Sequence, residues 1–169
     1  MNPLYDSVLT VRAVRTGDSE AVRAIRNHAV ETTTAIWTGV TMTADEARAW
    51  VEGHVCRGAM FVAETGDHVV GYACFAPWRD KEGYRYSLED SVYVAPHQQG
   101  RGVGRALMTP LLEAARAAGA HRMYADIEAG NTASLRLHES LGFERVGVLR
   151  EVGTKFGRWL DLAILELAL

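Results

Sequence analysis

The chain has 169 residues, a formal charge of −3 and a hydrophobic share of 48%, a composition typical of one globular domain. The weak negative charge excludes the basic surface used to bind nucleic acid or anionic membranes, so neither partner is expected. Cys56 and Cys74 lack metal-ligand spacing and no leader or bilayer-spanning stretch is evident, so we expect a cytoplasmic domain over residues 1–169 with reduced thiols and no metal.

Hydrophobic periodicity predicts an α/β series of alternating strands and helices. Two boundaries carry specific signals: Thr43 and Glu46 fit a capping box, and Gly142 follows a helix as its C′ residue. The predicted elements in chain order are a strand at 8–14, a helix after residue 19, a helix from 43–46 toward Arg57, a hairpin of strands at 61–63 and 69–75, a loop at 78–86, a strand at 88–94, a helix at 103–118, a strand at 122–127, a helix at 131–141, and strands at 144–152 and 158–167.

Residues 98–105 form a glycine-rich run between a predicted strand and a predicted helix. Such a turn leaves backbone N–H groups unpaired at the positive end of the helix dipole, which is a binding site for phosphate. Arg101 and Arg105 could add charge-assisted bonds to phosphate oxygens. The even glycine spacing, without a following Lys-Ser or Lys-Thr, fits neither the P-loop nor the dinucleotide motif. A phosphorylated ligand of another kind is therefore expected.

This run resembles the acetyl-CoA loop of the GNAT N-acetyltransferase superfamily, Gln/Arg-x-x-Gly-x-Gly/Ala, through Gln99, Gly102 and Gly104. Residues 131–143 match a second signature of that superfamily, Asn-x-x-Ala/Ser-x-x-x-Tyr/His-Glu-x-x-Gly-Phe. Within it, the chain resembles the phosphinothricin and methionine sulfoximine N-acetyltransferases. The segments that carry this closer resemblance are 33–37, 71–73, 78–79, 89–94 and 155–161.

The resemblance implies a GNAT fold, with a mixed, mostly antiparallel sheet of about seven strands flanked by about four helices in the order β-α-α-β-β-β-α-β-α-β-β. It also implies a homodimer that uses acetyl-CoA to acetylate the α-amino group of methionine sulfoximine, methionine sulfone, phosphinothricin or a similar amino acid. Asn131 could equally be a simple N-cap. The residues assigned in this way to acetyl-CoA are Val92, Tyr93, Val94, Gln99, Gly100, Arg101, Gly102, Val103, Gly104, Arg105 and Asn131.

The acceptor amine arrives protonated, so the reaction needs a base near it. Glu89 is expected in that role because the subfamily carries Glu there, with Asp90 and Glu82 as alternatives. His138 occupies the place where many GNAT enzymes carry the Tyr that protonates the departing thiolate, and imidazole could do this near pH 7. A core histidine that bonds a backbone carbonyl is the alternative interpretation of His138.

The irregular stretch 78–86 is rich in charged and aromatic residues, and an arginine there could bind a substrate carboxylate in bidentate fashion. Trp37, Trp78, Tyr84 and Tyr86 are candidates for pocket walls, but a structural role is favoured for Trp37, as it is for Trp159. The predicted acceptor-binding residues are Trp37, Arg79, Asp80, Lys81, Arg85, Glu89, Asp90 and Ser91. Two other functions stay open, namely acetylation of a protein N-terminus or lysine, and non-catalytic binding of acetyl-CoA.

Overall fold

The computed structural model describes residues 8–169, which form a seven-stranded sheet and four α-helices in the predicted order. Residues 1–7 of the predicted domain lie outside the described range. The elements are β1 (Leu9–Ala13), α1 (Ser19–Thr32), α2 (Ala44–Arg57), β2 (Met60–Thr65), β3 (His68–Pro77), β4 (Ser87–Val94), α3 (Val103–Ala117), β5 (Arg122–Glu128), α4 (Thr132–Ser140), β6 (Glu144–Lys155) and β7 (Arg158–Ala168).

The two helix boundaries with specific sequence signals are confirmed. Thr43 Oγ1 accepts the Glu46 N–H, and the Glu46 carboxylate accepts the Thr43 N–H at 2.8 Å, so the capping box opens α2. Asn131 Oδ1 accepts the Ser134 N–H at 3.2 Å at the start of α4. Gly142 follows that helix with φ +93°, the left-handed conformation that favours glycine.

The sheet has the order β1-β2-β3-β4-β5-β7-β6, and β4 with β5 is its parallel pair. These two strands are paired only where 87–89 face 122–124. Beyond that point β4 continues along β3 as far as Val94, and β5 continues along β7 as far as Glu128. The sheet therefore splits between the carboxyl-terminal ends of β4 and β5, a position where ligands bind in open α/β sheets.

Two apolar cores hold this split sheet from its opposite faces. The apolar side of α3 packs on one face through Leu107, Met108 and Leu111, all fully buried. Val22 of α1 and Val51 of α2 pack with buried side chains of β2 and β3 on the other. Burial on both faces fixes the register of the central strands. Within residues 8–169, no helix combines the length and apolar character needed to cross a bilayer.

Candidate active site

Two connected cavities occupy the split between β4 and β5. The glycine-loop groove, of about 600 Å³, runs along the end of β4 and the start of α3. The acidic cavity, of about 260 Å³, lies between β4, β5 and the segment after α1 and is lined by four carboxylates, those of Glu89, Asp90, Asp126 and Glu128. Val92 and Tyr93 line both spaces, so one molecule in each would meet beside β4.

The glycine-loop groove depends on backbone conformations that glycine permits. Gly100 and Gly102 have φ values of +74° and +82°, and a Cβ at either position would have no neighbour within 4 Å. The conformation, rather than crowding, therefore requires glycine. Gly104 is different, because a Cβ there would lie 2.9 Å from Leu137 Cδ2. It allows α3 to pack close to α4, and the first N–H groups of α3 remain available to a ligand.

Side-chain bonds hold the edges of the glycine-loop groove in place. Gln99 Nε2 donates to the Val94 carbonyl at 3.1 Å, which ties the loop to the end of β4. Arg105 donates to the Ser140 carbonyl at 2.9 Å, so its charge is fixed beside α4. All the residues predicted to contact acetyl-CoA line this groove except Arg101. The structure thus gathers ten of those eleven positions in one place.

The environment of the acidic cavity raises the pKa of two of its carboxyl groups. Burial, followed by the charges of Asp126 and Asp90, raises the pKa of Glu89 to about 7, while Arg79 acts in the opposite direction. Burial also raises the pKa of Asp126. With a pKa near 7, Glu89 can accept a proton from an ordinary amine, and such a shifted value is typical of reactive sites.

His138 and Asp90 form a buried pair at the floor of the acidic cavity. His138 Nε2 lies 2.9 Å from Asp90 Oδ2, and its Nδ1 lies 2.7 Å from the Ser134 carbonyl oxygen. Both of these partners accept, so the ring is best satisfied as a doubly protonated imidazolium. Burial alone would lower its pKa, but the hydrogen bond and charge of Asp90 raise it.

This geometry bears on the predicted roles of both residues. A thiolate would receive a proton from His138 only after one of its two ring bonds is broken, so that role stays a prediction. The alternative interpretation describes Nδ1 correctly, since it bonds a backbone carbonyl. Asp90 was predicted to contact the acceptor, yet one carboxylate oxygen bonds His138 and the other is buried without a hydrogen-bond partner.

The loop between β3 and β4 lines neither cavity. Arg79 lies over the Trp78 ring at 4.5 Å, and its charge reaches Glu89 and Asp126. Glu82 instead pairs with Arg85 on the surface at 3.8 Å, with 91% of its side chain exposed. The predicted residues that line neither cavity are Arg79, Asp80, Lys81, Glu82 and Arg85, together with the aromatic candidates Trp78, Tyr84 and Tyr86.

The remaining walls come from segments distant in sequence. Trp37 lines the acidic cavity together with Ala35 and Ile36. Ser91 also lines it. Asp126 and Glu128 were not predicted, although the alternation along β5 places both on one face, which is the signal that could have identified them. The acidic cavity thus combines β4, β5, α4 and the segment after α1.

Comparison with known proteins identifies relatives over nearly the whole chain. Residues 22–143 match the Acetyltransferase (GNAT) family. The chain is 46% identical over 162 residues to the L-methionine sulfoximine/L-methionine sulfone acetyltransferase of Salmonella typhimurium, covering 95% of both chains. It is 41% identical over 159 residues to the phosphinothricin N-acetyltransferase of Alcaligenes faecalis, covering 93% of this chain and 81% of that one. A solved Salmonella typhimurium acetyltransferase structure with its cofactor acetyl-CoA superposes with a TM-score of 0.93 at 45% identity, covering 96% and 94% of the two chains.

Proposed function

Since this chain belongs to the GNAT family of acetyltransferases, we propose that it moves the acetyl group of acetyl-CoA to the α-amino group of a small amino acid such as methionine sulfoximine, methionine sulfone or phosphinothricin. The observation that carries the proposal is the meeting of the glycine-loop groove and the acidic cavity beside Val92 and Tyr93. The activities of the two relatives named above support the choice of acceptor.

The glycine-loop groove fits acetyl-CoA, which would supply the acetyl group as a thioester. The N–H groups at the start of α3 and the left-handed Gly100 and Gly102 would hold the pyrophosphate. Between Val92 and Val94, β4 is not paired with β5. This edge of β4 would pair with the pantetheine arm as an added strand does. A backbone N–H near Val94 would polarise the thioester carbonyl.

The acidic cavity fits a protonated amine. Four carboxylates surround a space of about 260 Å³ and attract a cationic group. Glu89 would take the proton from the acceptor ammonium, a step that its pKa of about 7 favours. Arg79, whose charge already reaches this cavity, would bind the acceptor carboxylate. Holding both reactants at the junction of the two spaces would supply much of the acceleration.

A thiol-release assay with acetyl-CoA tests this function. The panel contains methionine sulfone, methionine sulfoximine, phosphinothricin, ordinary amino acids and short peptides. We expect release of CoA with the sulfone, sulfoximine or phosphinothricin and none with peptides. Preference for peptides would favour acetylation of protein N-termini or lysines. Acetyl-CoA binding without turnover on any acceptor would favour a non-catalytic binding module.

We also propose that the protein is a homodimer, and the surface of β6 and β7 supports this. β6 is an edge strand of the sheet, and the β6–β7 hairpin exposes a group of apolar side chains to solvent. An exposed apolar edge is a typical site of association between copies. These side chains are Val146, Val148, Leu149, Val152, Phe156 and Trp159. Sedimentation should show a dimer at micromolar concentration, and a monomer would contradict the proposal.

A further inference from the structure

Lys155, at the end of β6, is a buried cation held by backbone oxygens. Its Nζ donates to the carbonyls of Val30 at 2.6 Å, Thr33 at 2.7 Å and Ile36 at 2.6 Å. The residue is only 7% exposed, and its ammonium also lies 4.8 Å from the Phe156 ring centroid. All three of its N–H donors are therefore used on carbonyls.

These carbonyls belong to the end of α1 and to the segment that follows it. Val30 lies in the last turn of α1, where carbonyls have no intrahelical partner and carry the negative end of the helix dipole. Ile36 lies in the acidic-cavity wall formed by Ala35, Ile36 and Trp37. The ammonium therefore joins a helix end to the back of that wall.

A second residue of β6 holds the same wall. The Trp37 ring packs directly against Gly153, where an added Cβ would lie 2.1 Å from Trp37 Cε3. Trp37 Nε1 donates to the Thr34 carbonyl at 2.8 Å, which fixes the ring to its own segment. Lys155 and Gly153 are two positions apart on one strand, so both face the segment 33–37. Apart from bonds within the segment and to α1, and one from Thr34 Oγ1 to Glu128 Oε2 at 3.3 Å, the segment is held by these two residues of β6.

We infer that Lys155 is a positioning residue for the acceptor: by binding the carbonyls of Val30, Thr33 and Ile36 it fixes the segment 33–37 as a wall of the acidic cavity. This inference rests on the proposed function, in which the acceptor amine enters that cavity. Thr33, Thr34 and Ala35 also line the glycine-loop groove, whose other walls come from α1, β4, the glycine loop, α3 and α4. Ile36 and Trp37 line the smaller acidic cavity and not the groove. Loss of the tether should therefore weaken acceptor binding more than acetyl-CoA binding.

The chemistry of this position favours lysine over arginine. An ammonium directs its three donors to separate points, whereas a guanidinium directs its donors within one plane. Sixteen of the eighteen basic Lys and Arg residues are arginines, and the second lysine, Lys81, lies in the loop between β3 and β4. Lys155→Arg keeps the charge but cannot reproduce the bonds to all three carbonyls. Lys155→Met keeps most of the side-chain length and removes both charge and donors.

The test compares steady-state kinetics of Lys155→Met, Lys155→Arg and the wild type, with methionine sulfone as acceptor. The KM for methionine sulfone should rise at least about tenfold in Lys155→Met, while the KM for acetyl-CoA changes less than about threefold. Lys155→Arg should give an intermediate acceptor KM. Arg150→Met, at an exposed position of the same strand, is the matched control and should behave as wild type.

Hydrogen exchange supplies a readout that does not depend on activity. Amides of 33–37 should exchange faster in Lys155→Met, and those of 100–105 should not change. If Lys155→Met does not fold, the same comparison is made with Lys155→Arg. Equal changes in both KM values, or unchanged exchange at 33–37 in a folded variant, would overturn the inference. A wild-type protein that acetylates no amino acid would instead overturn the proposed function, and exchange would still show whether Lys155 orders the segment.

Discussion

The glycine-loop groove and the acidic cavity are adjacent but are built in different ways. The groove is centred on one continuous stretch, 92–105, which includes the left-handed backbone at Gly100 and Gly102, and α1 and α4 supply further walls. The cavity is made from side chains of four segments, and its character comes from placing four carboxylates close together. The difference shows that local backbone geometry provides much of the proposed acetyl-CoA site. The proposed reactivity toward the acceptor amine depends instead on tertiary packing.

The largest expected effect is on the chemistry of the acidic cavity. Glu89→Gln should lower turnover by about two to four orders of magnitude, because the amide cannot accept the proton of the acceptor. Its affinity for acetyl-CoA, measured by calorimetry, should stay near wild type. Glu82→Gln is the matched control, since that side chain is 91% exposed and lines neither cavity. Equal turnover losses in the two variants would contradict a special role for Glu89.

Substitution of Gly102 tests the groove by separating charge from backbone strain. Both Gly102→Glu and Gly102→Gln place a side chain at φ +82°, so both bear the same conformational cost. Only Glu adds a negative charge beside the proposed pyrophosphate site, and like charges in contact are strongly unfavourable. Calorimetry should show acetyl-CoA binding at least about a hundredfold weaker for Glu than for Gln. Similar affinities would remove this loop from the anion site.

The His138–Asp90 pair should make stability depend on pH. Asp90 raises the pKa of His138 in the folded state, so the stabilisation is complete below the unfolded value of about 6.5 and is lost as pH rises through the folded value. Asp90→Asn should therefore lower the free energy of unfolding by about 2 kcal/mol at pH 6 and by less at higher pH. Urea denaturation across this range measures it, with the exposed Asp80→Asn as control. A penalty that grows with pH would show that His138 is neutral in the fold.

The smallest expected effect on activity comes from a substitution behind the wall of the acidic cavity. Gly153→Ala must displace the Trp37 ring, which should cost about 1 to 3 kcal/mol of stability and raise the acceptor KM several-fold. Gly147→Ala, on the same strand with no atom near the added Cβ, is the control. Thermal unfolding and acceptor kinetics of both variants give the result. Equal behaviour would show that Trp37 moves without consequence.

Local signals explain what could be predicted from the sequence. The capping box of Thr43 and the helix end at Gly142 depend on neighbours within a few residues, and both are confirmed. The groove was predictable for the same reason. β6 shows the limit of local signals. The strand was predicted to end at 152, but it continues to Lys155 past an irregularity at Glu151. The Glu151 N–H donates to Asp161 Oδ1 at 2.7 Å, a contact that lies ten residues away in sequence.

Tertiary contacts explain what could not be predicted. Asp126 affects Glu89 only because β5 runs beside β4 at the split in the sheet. Lys155 and Gly153 support Trp37 across more than a hundred positions of sequence. In the loop 78–86, whose charged residues were predicted to bind the acceptor, no side chain lines either cavity. Most of them are exposed, which is the usual location of charged side chains.

The dependence of kcat/KM on pH, in wild type and Glu89→Gln with methionine sulfone, tests the central claim most directly. With a pKa of about 7, Glu89 is protonated and inactive as a base at low pH, so wild-type kcat/KM should rise with pH and show a bend near 7. Glu89→Gln should lack this bend, and its deficit should shrink as free amine becomes abundant at higher pH. Profiles of the same shape and height in both proteins would contradict the assignment of Glu89 as the base.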